Sequence, residues 1–105
     1  MKQSIRSLAL VIRSKNAGPY ELVLDILFRQ QSDYLAIKAS GQLTAQRIAD
    51  LYHLGEQQLP RLIWFDSANA VKAVLPRSVV SGNRGDNDVY GAQQHAPLLD
   101  IVFDI

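Results

Sequence analysis

The sequence predicts an α+β domain, a mainly antiparallel sheet with two helices packed on one face. Two observations carry this. Strand-like apolar segments cluster at both ends of the chain, and two helix-like segments with recognisable caps fall between them. A third bounds it: 105 residues, 48% of them hydrophobic, suit one domain, residues 1–105, with enough apolar surface for a packed core.

In chain order, Arg6 to Arg13 is rich in Leu, Val and Ile and reads as a buried strand. Gly18-Pro19 punctuates the chain, and Glu21 to Phe28 alternates. Leu22, Leu24, Ile26 and Phe28 share one face; Glu21, Val23, Asp25 and Leu27 share the other, mixed face. β-Branched and aromatic content favours strand over helix there. Ser32 suits the N-cap of a helix over Asp33 to Ser40, with Gly41 at the left-handed C′ position. Its stripes are Tyr34 with Ile37, and Leu35 with Ala39. Thr44 caps the second helix, Leu43 and Ile48 form a hydrophobic staple, Leu51 and Tyr52 extend the stripe, and Gly55 stops it. His53 falls near its C-terminus, where a cation suits the helix dipole. Arg61 to Phe65 is a short aromatic strand, and Asp66-Ser67-Ala68-Asn69 a turn or bulge. Val71, Ala73 and Leu75 face inward on the next strand, with Lys72 and Val74 outward. Leu99, Ile101 and Phe103 alternate with Asp100, Val102 and Asp104 in a last strand.

Charge and composition exclude several functions. Charged residues make up 20%, too few and too well mixed with apolar ones for wholesale disorder. The formal net charge of +1 argues against a nucleic-acid binder. With no cysteine, disulfides, thiolate metal sites and cysteine nucleophiles are out. The apolar run Leu8 to Ile12 ends at Arg13. A signal core needs roughly 7 to 15 residues and a membrane span roughly 20, so the cytoplasm is the expected location and no membrane partner is expected.

Two polar segments stand out. Arg13-Ser14-Lys15-Asn16-Ala17-Gly18 packs two cations, a hydroxyl, an amide and a glycine into a short stretch after a strand. Such a turn can direct N–H groups and cationic heads at a carboxylate or phosphate; the same composition also serves a solvated hairpin loop. Ser81 to Pro97 is long, polar and glycine-rich, and a loop of that length is usually functional or disordered. Its Asp86, Asp88 and His95 are oxygen and imidazole donors at no standard metal spacing, so no metal and no cofactor is expected. His95 is the better general acid/base candidate of the two histidines. Lys72 and Arg77 flank a strand end, Asp66 and Asn69 precede it, and with Arg13 they are expected to line one end of the sheet. Strand-end charges that keep an edge from aggregating are the plainer reading. On the outward strand faces Val23, Leu27, Ile63, Phe65, Val74 and Val102 lack local cover, which suits an interface.

Taken together, Arg13 to Pro19, Asp25-Ile-Leu-Phe28, Leu43-Thr44, Lys72 to Arg77 and Asp88-Val-Tyr-Gly-Ala-Gln-Gln-His-Ala-Pro-Leu-Leu-Asp100 resemble one small family. It is a domain of unknown function whose members are encoded beside, or fused to, the large AtuA-type acyclic terpene utilisation proteins. Residues 13–18, Leu43-Thr44 and 66–69 are also similar, more remotely, to the ferredoxin-like C-terminal domain of AtuA proteins. The resemblance implies a ferredoxin-like accessory subunit or interaction module that docks on an AtuA-like partner. It further implies carboxylate or acyl-CoA chemistry nearby. The expected anionic-ligand residues are Arg13, Ser14, Lys15, Asn16, Gly18, Asp66, Asn69, Lys72, Arg77, Asp86, Asp88, Tyr90, Gln93 and Gln94, with His95 as a proton-transfer group. The alternative is a stand-alone homo-oligomeric lyase, hydratase or isomerase; whether the chain is an enzyme is left open by its residues.

Overall fold

A computed structural model describes residues 2–18, 20–76 and 95–105. Its elements are β1 (Lys2–Ser4), α1 (Ile5–Leu8), β2 (Ala9–Asn16), β3 (Glu21–Phe28), α2 (Gln31–Ser40), α3 (Ala45–Leu51), β4 (Arg61–Phe65), β5 (Ala70–Pro76) and β6 (Val102–Asp104). Short 3₁₀ turns cover Glu56–Gln58, Asp66–Ala68 and Ala96–Asp100. The main sheet has four strands in the order β2-β3-β5-β4, every neighbouring pair antiparallel, while β1 and β6 form a separate ribbon. The architecture is α+β, consistent with a ferredoxin-like fold; two hairpins are joined by the helical pair. Among the described residues, no helix is long and apolar enough to cross a membrane.

The N-terminal strand begins later than the apolar run suggests. Ser4 Oγ accepts from Arg6 N at 3.2 Å and caps one helical turn. That turn buries Ile5 and Leu8, three residues apart, so Arg6 to Leu8 is helical and the strand starts at Ala9. The strand then runs to Asn16, so residues 13–16 are strand and the turn is confined to the residues after them. Between Ala9 and Val11 the register slips, leaving Leu10 bulged and 58% exposed. The slip moves the inward set from Ala9 to Ile12 and Ser14.

On β3, Leu22, Leu24, Ile26 and Phe28 are all buried on the helix-covered face, as their alternation predicts. Val71, Ala73 and Leu75 join them from β5. α2 starts earlier than Ser32 allows, with Gln30 at the N-cap, and ends at Gly41 in the left-handed region, φ 70°. Tyr34 and Ile37 are its buried pair, whereas Leu35 is 48% exposed and Ala39 is exposed, so that second stripe faces water. Thr44 Oγ1 accepts from Arg47 N at 3.1 Å, and the staple residues Leu43 and Ile48 are both buried. α3 stops at Leu51, before Gly55: His53 itself takes φ 57°, and Leu54 N closes on Ala49 O at 2.9 Å. His53 therefore lies past the helix end.

The last strand is shorter than its alternation implies. Pro97 opens a 3₁₀ turn over Ala96–Asp100, which leaves only Val102–Asp104 extended. Ile101 and Phe103 nonetheless point inward and are buried. Two side chains fasten the ribbon. The Gln42 amide donates to Asp104 O at 2.6 Å and accepts from Asp104 N at 2.8 Å, copying a strand neighbour. Arg47 donates to Val102 O at 2.9 Å and to Gln42 O at 3.1 Å, with its guanidinium 5.3 Å from the Phe103 ring centroid. Helices, ribbon and core all lie on one side of the main sheet.

Candidate functional site

The other side of that sheet carries the candidate site. Register places Arg13, Asp25, Lys72 and Ile63 in one row across β2, β3, β5 and β4. The adjacent row is Lys15, Val23, Val74 and Arg61, and the row on the opposite side is Val11, Leu27, Ala70 and Phe65. Strand spacing of about 4.8 Å sets the Arg13 and Lys72 backbones roughly 10 Å apart, with Asp25 between them.

Asp25 is the unusual member: a carboxylate only 7% exposed, with Leu22-Val23-Leu24 before it and Ile26-Leu27 after it in the strand. The Arg13 Nε donates to its Oδ2 at 3.1 Å, while the Arg13 side chain is 61% exposed. Asp25 thus orients a guanidinium whose far end reaches water. The Lys72 ammonium lies 5.7 Å from the Phe65 ring centroid, a cation–π approach. Arg13, Lys15, Lys72 and Arg61 set four cations on this face against Asp25 and Glu21; Val23 between them is buried, not uncovered as its outward position implies, and Val74 is half-buried. At the hairpin end the face meets an open cleft of about 450 Å³ lined by Glu21, Gln57, Gln58, Leu59, Arg61 and Pro76, among others.

The remaining sequence-named residues divide into groups. Ser14 is buried on the opposite, core face, which Asn16 shares by register. Gly18 has φ 84° in the β2–β3 turn, a conformation glycine takes without strain, and Ala17 N there donates to Glu21 O at 3.0 Å. Asp66 and Asn69 lie at the other end of the sheet from that turn. Asn69 adopts φ 50° and its carbonyl accepts from Phe28 N at 2.9 Å. Asp66 Oδ1 accepts from Tyr34 Oη at 2.6 Å and from Lys38 Nζ at 2.8 Å. These two hydrogen bonds hold its carboxyl below the usual range. Burial, then Asp66, pushes the Tyr34 phenol up to about 12. The three groups satisfy one another and tie α2 to the β4–β5 turn. Arg13 and Lys72 therefore come together at the sheet centre rather than at one end, with Asp66 and Asn69 apart from them.

His95 sits at the N-cap of the Ala96–Asp100 turn, whose Leu98 enters the core, so it belongs to the layer on the covered side. Arg77, Asp86, Asp88, Tyr90, Gln93 and Gln94 lie outside the described residues. Among the described residues no three metal-ligating side chains cluster. The sequence reading passed over Asp25 and Arg61 as site residues. The signal for Asp25 was there: an acid at the centre of an apolar strand, on the same face as Lys72 by alternation.

The family described as a domain of unknown function, DUF4387, matches residues 5–102. No curated protein and no solved structure matches the chain.

Proposed function

Because the chain belongs to the DUF4387 family, whose description assigns no activity, we propose its function from the sheet face opposite the helices. The protein is an accessory subunit that docks on a larger AtuA-like partner and contributes a site for a carboxylate or acyl-CoA. The observation that carries this reading is the cationic face itself. Arg13, Lys15, Lys72 and Arg61 share this face with the exposed Ile63 and Phe65, the combination an amphipathic anion needs: charge for the head, hydrocarbon for the tail. Asp25 fixes Arg13 in place, which reduces the ordering cost of binding. Ile63 and Phe65, 36% and 41% exposed, continue the face as apolar surface suited to a protein partner. The choice of partner rests on the sequence resemblance.

The test has two readouts. Light scattering on a sizing column, with the chain co-expressed beside the large protein, should give one hetero-complex; two separate peaks would overturn the docking claim. Calorimetric titration with branched carboxylates and CoA esters should show binding that Arg13→Ala or Lys72→Ala weakens about tenfold, the loss of one charged hydrogen bond. Unchanged affinity in the double variant would remove the site assignment.

A further inference from the structure

The two outer strands of the main sheet, β2 and β4, are finished differently. β2 carries the Leu10 bulge and the two cations Arg13 and Lys15, devices that keep an edge from pairing. Laid antiparallel on a second β2 about Ser14, it would oppose Arg13 to the second copy's Lys15; about Arg13, it would oppose Arg13 to itself. Like charges directly opposite destabilise a ladder.

β4 has no bulge and a single cation, Arg61, at its first position. Pro60 stands just before it, and its residues are Arg61, Leu62, Ile63, Trp64 and Phe65 with no bulge. Among the described residues it pairs with β5 alone, and no strand of these lies along its other edge. Its sequence is self-complementary in one register. An antiparallel pair centred on Ile63 places Ile63 opposite Ile63, Arg61 opposite Phe65 and Leu62 opposite Trp64. On the open face each end is then a cation beside an aromatic ring, with an aliphatic pair between. On the helix-covered face an aliphatic residue meets the half-buried Trp64. No like charges meet, and all five residues of the strand are matched.

We propose that β4 is the edge by which two copies of this chain associate, continuing two four-stranded sheets into one of eight strands. The symmetry is a two-fold through Ile63, so the same surface serves both copies. The two open faces become one, and the cationic rows of the copies then flank a shared apolar seam of Ile63 and Phe65. This inference stands apart from the anion-site reading: it is measured on the isolated chain, without ligand or larger partner.

The chain contains no cysteine, which gives a register-specific test. Directly opposed residues in an antiparallel pair have Cα atoms about 4.5 to 5.5 Å apart, within disulfide range. Ile63→Cys should therefore cross-link to a dimer under mild oxidation, because residue 63 meets itself. Arg61→Cys should not, since its own copy lies four positions along the strand; Arg61→Cys with Phe65→Cys should. In light scattering the unaltered protein should run at twice its 11.7-kDa chain mass. Ile63→Lys, at a site already 36% exposed, should dissociate it while the circular dichroism spectrum stays native. A monomer at micromolar concentration with no Ile63→Cys cross-link overturns the proposal. So does a dimer that Ile63→Lys leaves intact, or a β4 edge that pairs only with a different protein.

Discussion

On β3, Leu24 and Asp25 are neighbours in sequence, and both are almost fully buried, yet they live on different sides of the molecule. Leu24 lies against Ala73 and Ser14 under the helices, in a layer of aliphatic and aromatic side chains. Asp25 lies between Arg13 and Lys72 on the side away from that layer. The covered face stores the stability of the fold. The open face carries its charge, and a carboxylate enclosed there is held by a cation rather than by packing. A single alternation of two residues separates structure from chemistry in this sheet.

That division can be broken experimentally, most sharply by truncation on each face. Leu24→Ala should cost about 2 to 5 kcal/mol through lost burial and the cavity left behind. Lys72→Ala, on the other face and one position from the core residues Val71 and Ala73, should fall within about 0.5 kcal/mol. Urea unfolding of both variants checks this, and equal losses would end the distinction.

The tie between α2 and the β4–β5 turn sharpens it next. Tyr34→Phe deletes the hydroxyl that donates to Asp66 and should cost about 1 to 2 kcal/mol. It should also change the pH profile. The folded-state pKa of Tyr34 is raised from 10.0 to about 12. Its contribution is therefore complete below pH 10 and is lost as pH rises toward 12, where the unfolded chain has already released the proton. Half-buried Tyr52, also raised by desolvation, adds in the same direction. Melting temperature should fall across that window, less steeply in Tyr34→Phe, with tyrosinate absorbance following the same curve. At the acid end, Asp66 is shifted down, so its contribution is present above the normal carboxylate range and lost as pH falls through the lowered value.

The smallest effect asks whether the covered side is one cooperative layer. Gln42→Ala removes both amide contacts to Asp104 and should cost about 1 kcal/mol. Hydrogen exchange should show faster amides in β1 and β6 with β3 and β5 unchanged. Equal acceleration everywhere would mean that the ribbon and the sheet open together.

Where local pattern and final burial agree, the sequence was readable. Arg61–Phe65 has the bounds its composition implies, and Thr44, Leu43 and Ile48 cap and staple α3 as their spacing requires. The inward set on β3 and β5 followed from alternation alone. Four-residue α1 was hidden because one turn leaves no periodicity; only its Ser4 cap betrays it. His53 ending α3 ahead of Gly55 was hidden too, since a left-handed histidine leaves no compositional mark. For the site, the cations Arg13, Lys15 and Lys72 are legible in the sequence. Their meeting across Asp25 was not visible, because periodicity fixes which face a residue takes but not which row of another strand it opposes. Asp66 and Asn69 carry site-like chemistry in sequence and serve a turn in the fold.

The ribbon sets an order of events. Lys2 pairs with Asp104, so β1 and its partner β6 lie about a hundred positions apart in sequence. Closing so long a loop is entropically costly compared with closing the β2–β3 or β4–β5 hairpins. During synthesis β1 emerges before β6 and has no ribbon partner until residues 102–104 appear, with Ile5 and Leu8 lacking the Ala96–Asp100 turn they pack beside. Closure of the β1–β6 ribbon is therefore expected to follow the hairpins, with the β1 amides gaining protection later than those of β3 and β5 in pulse-labelled hydrogen exchange.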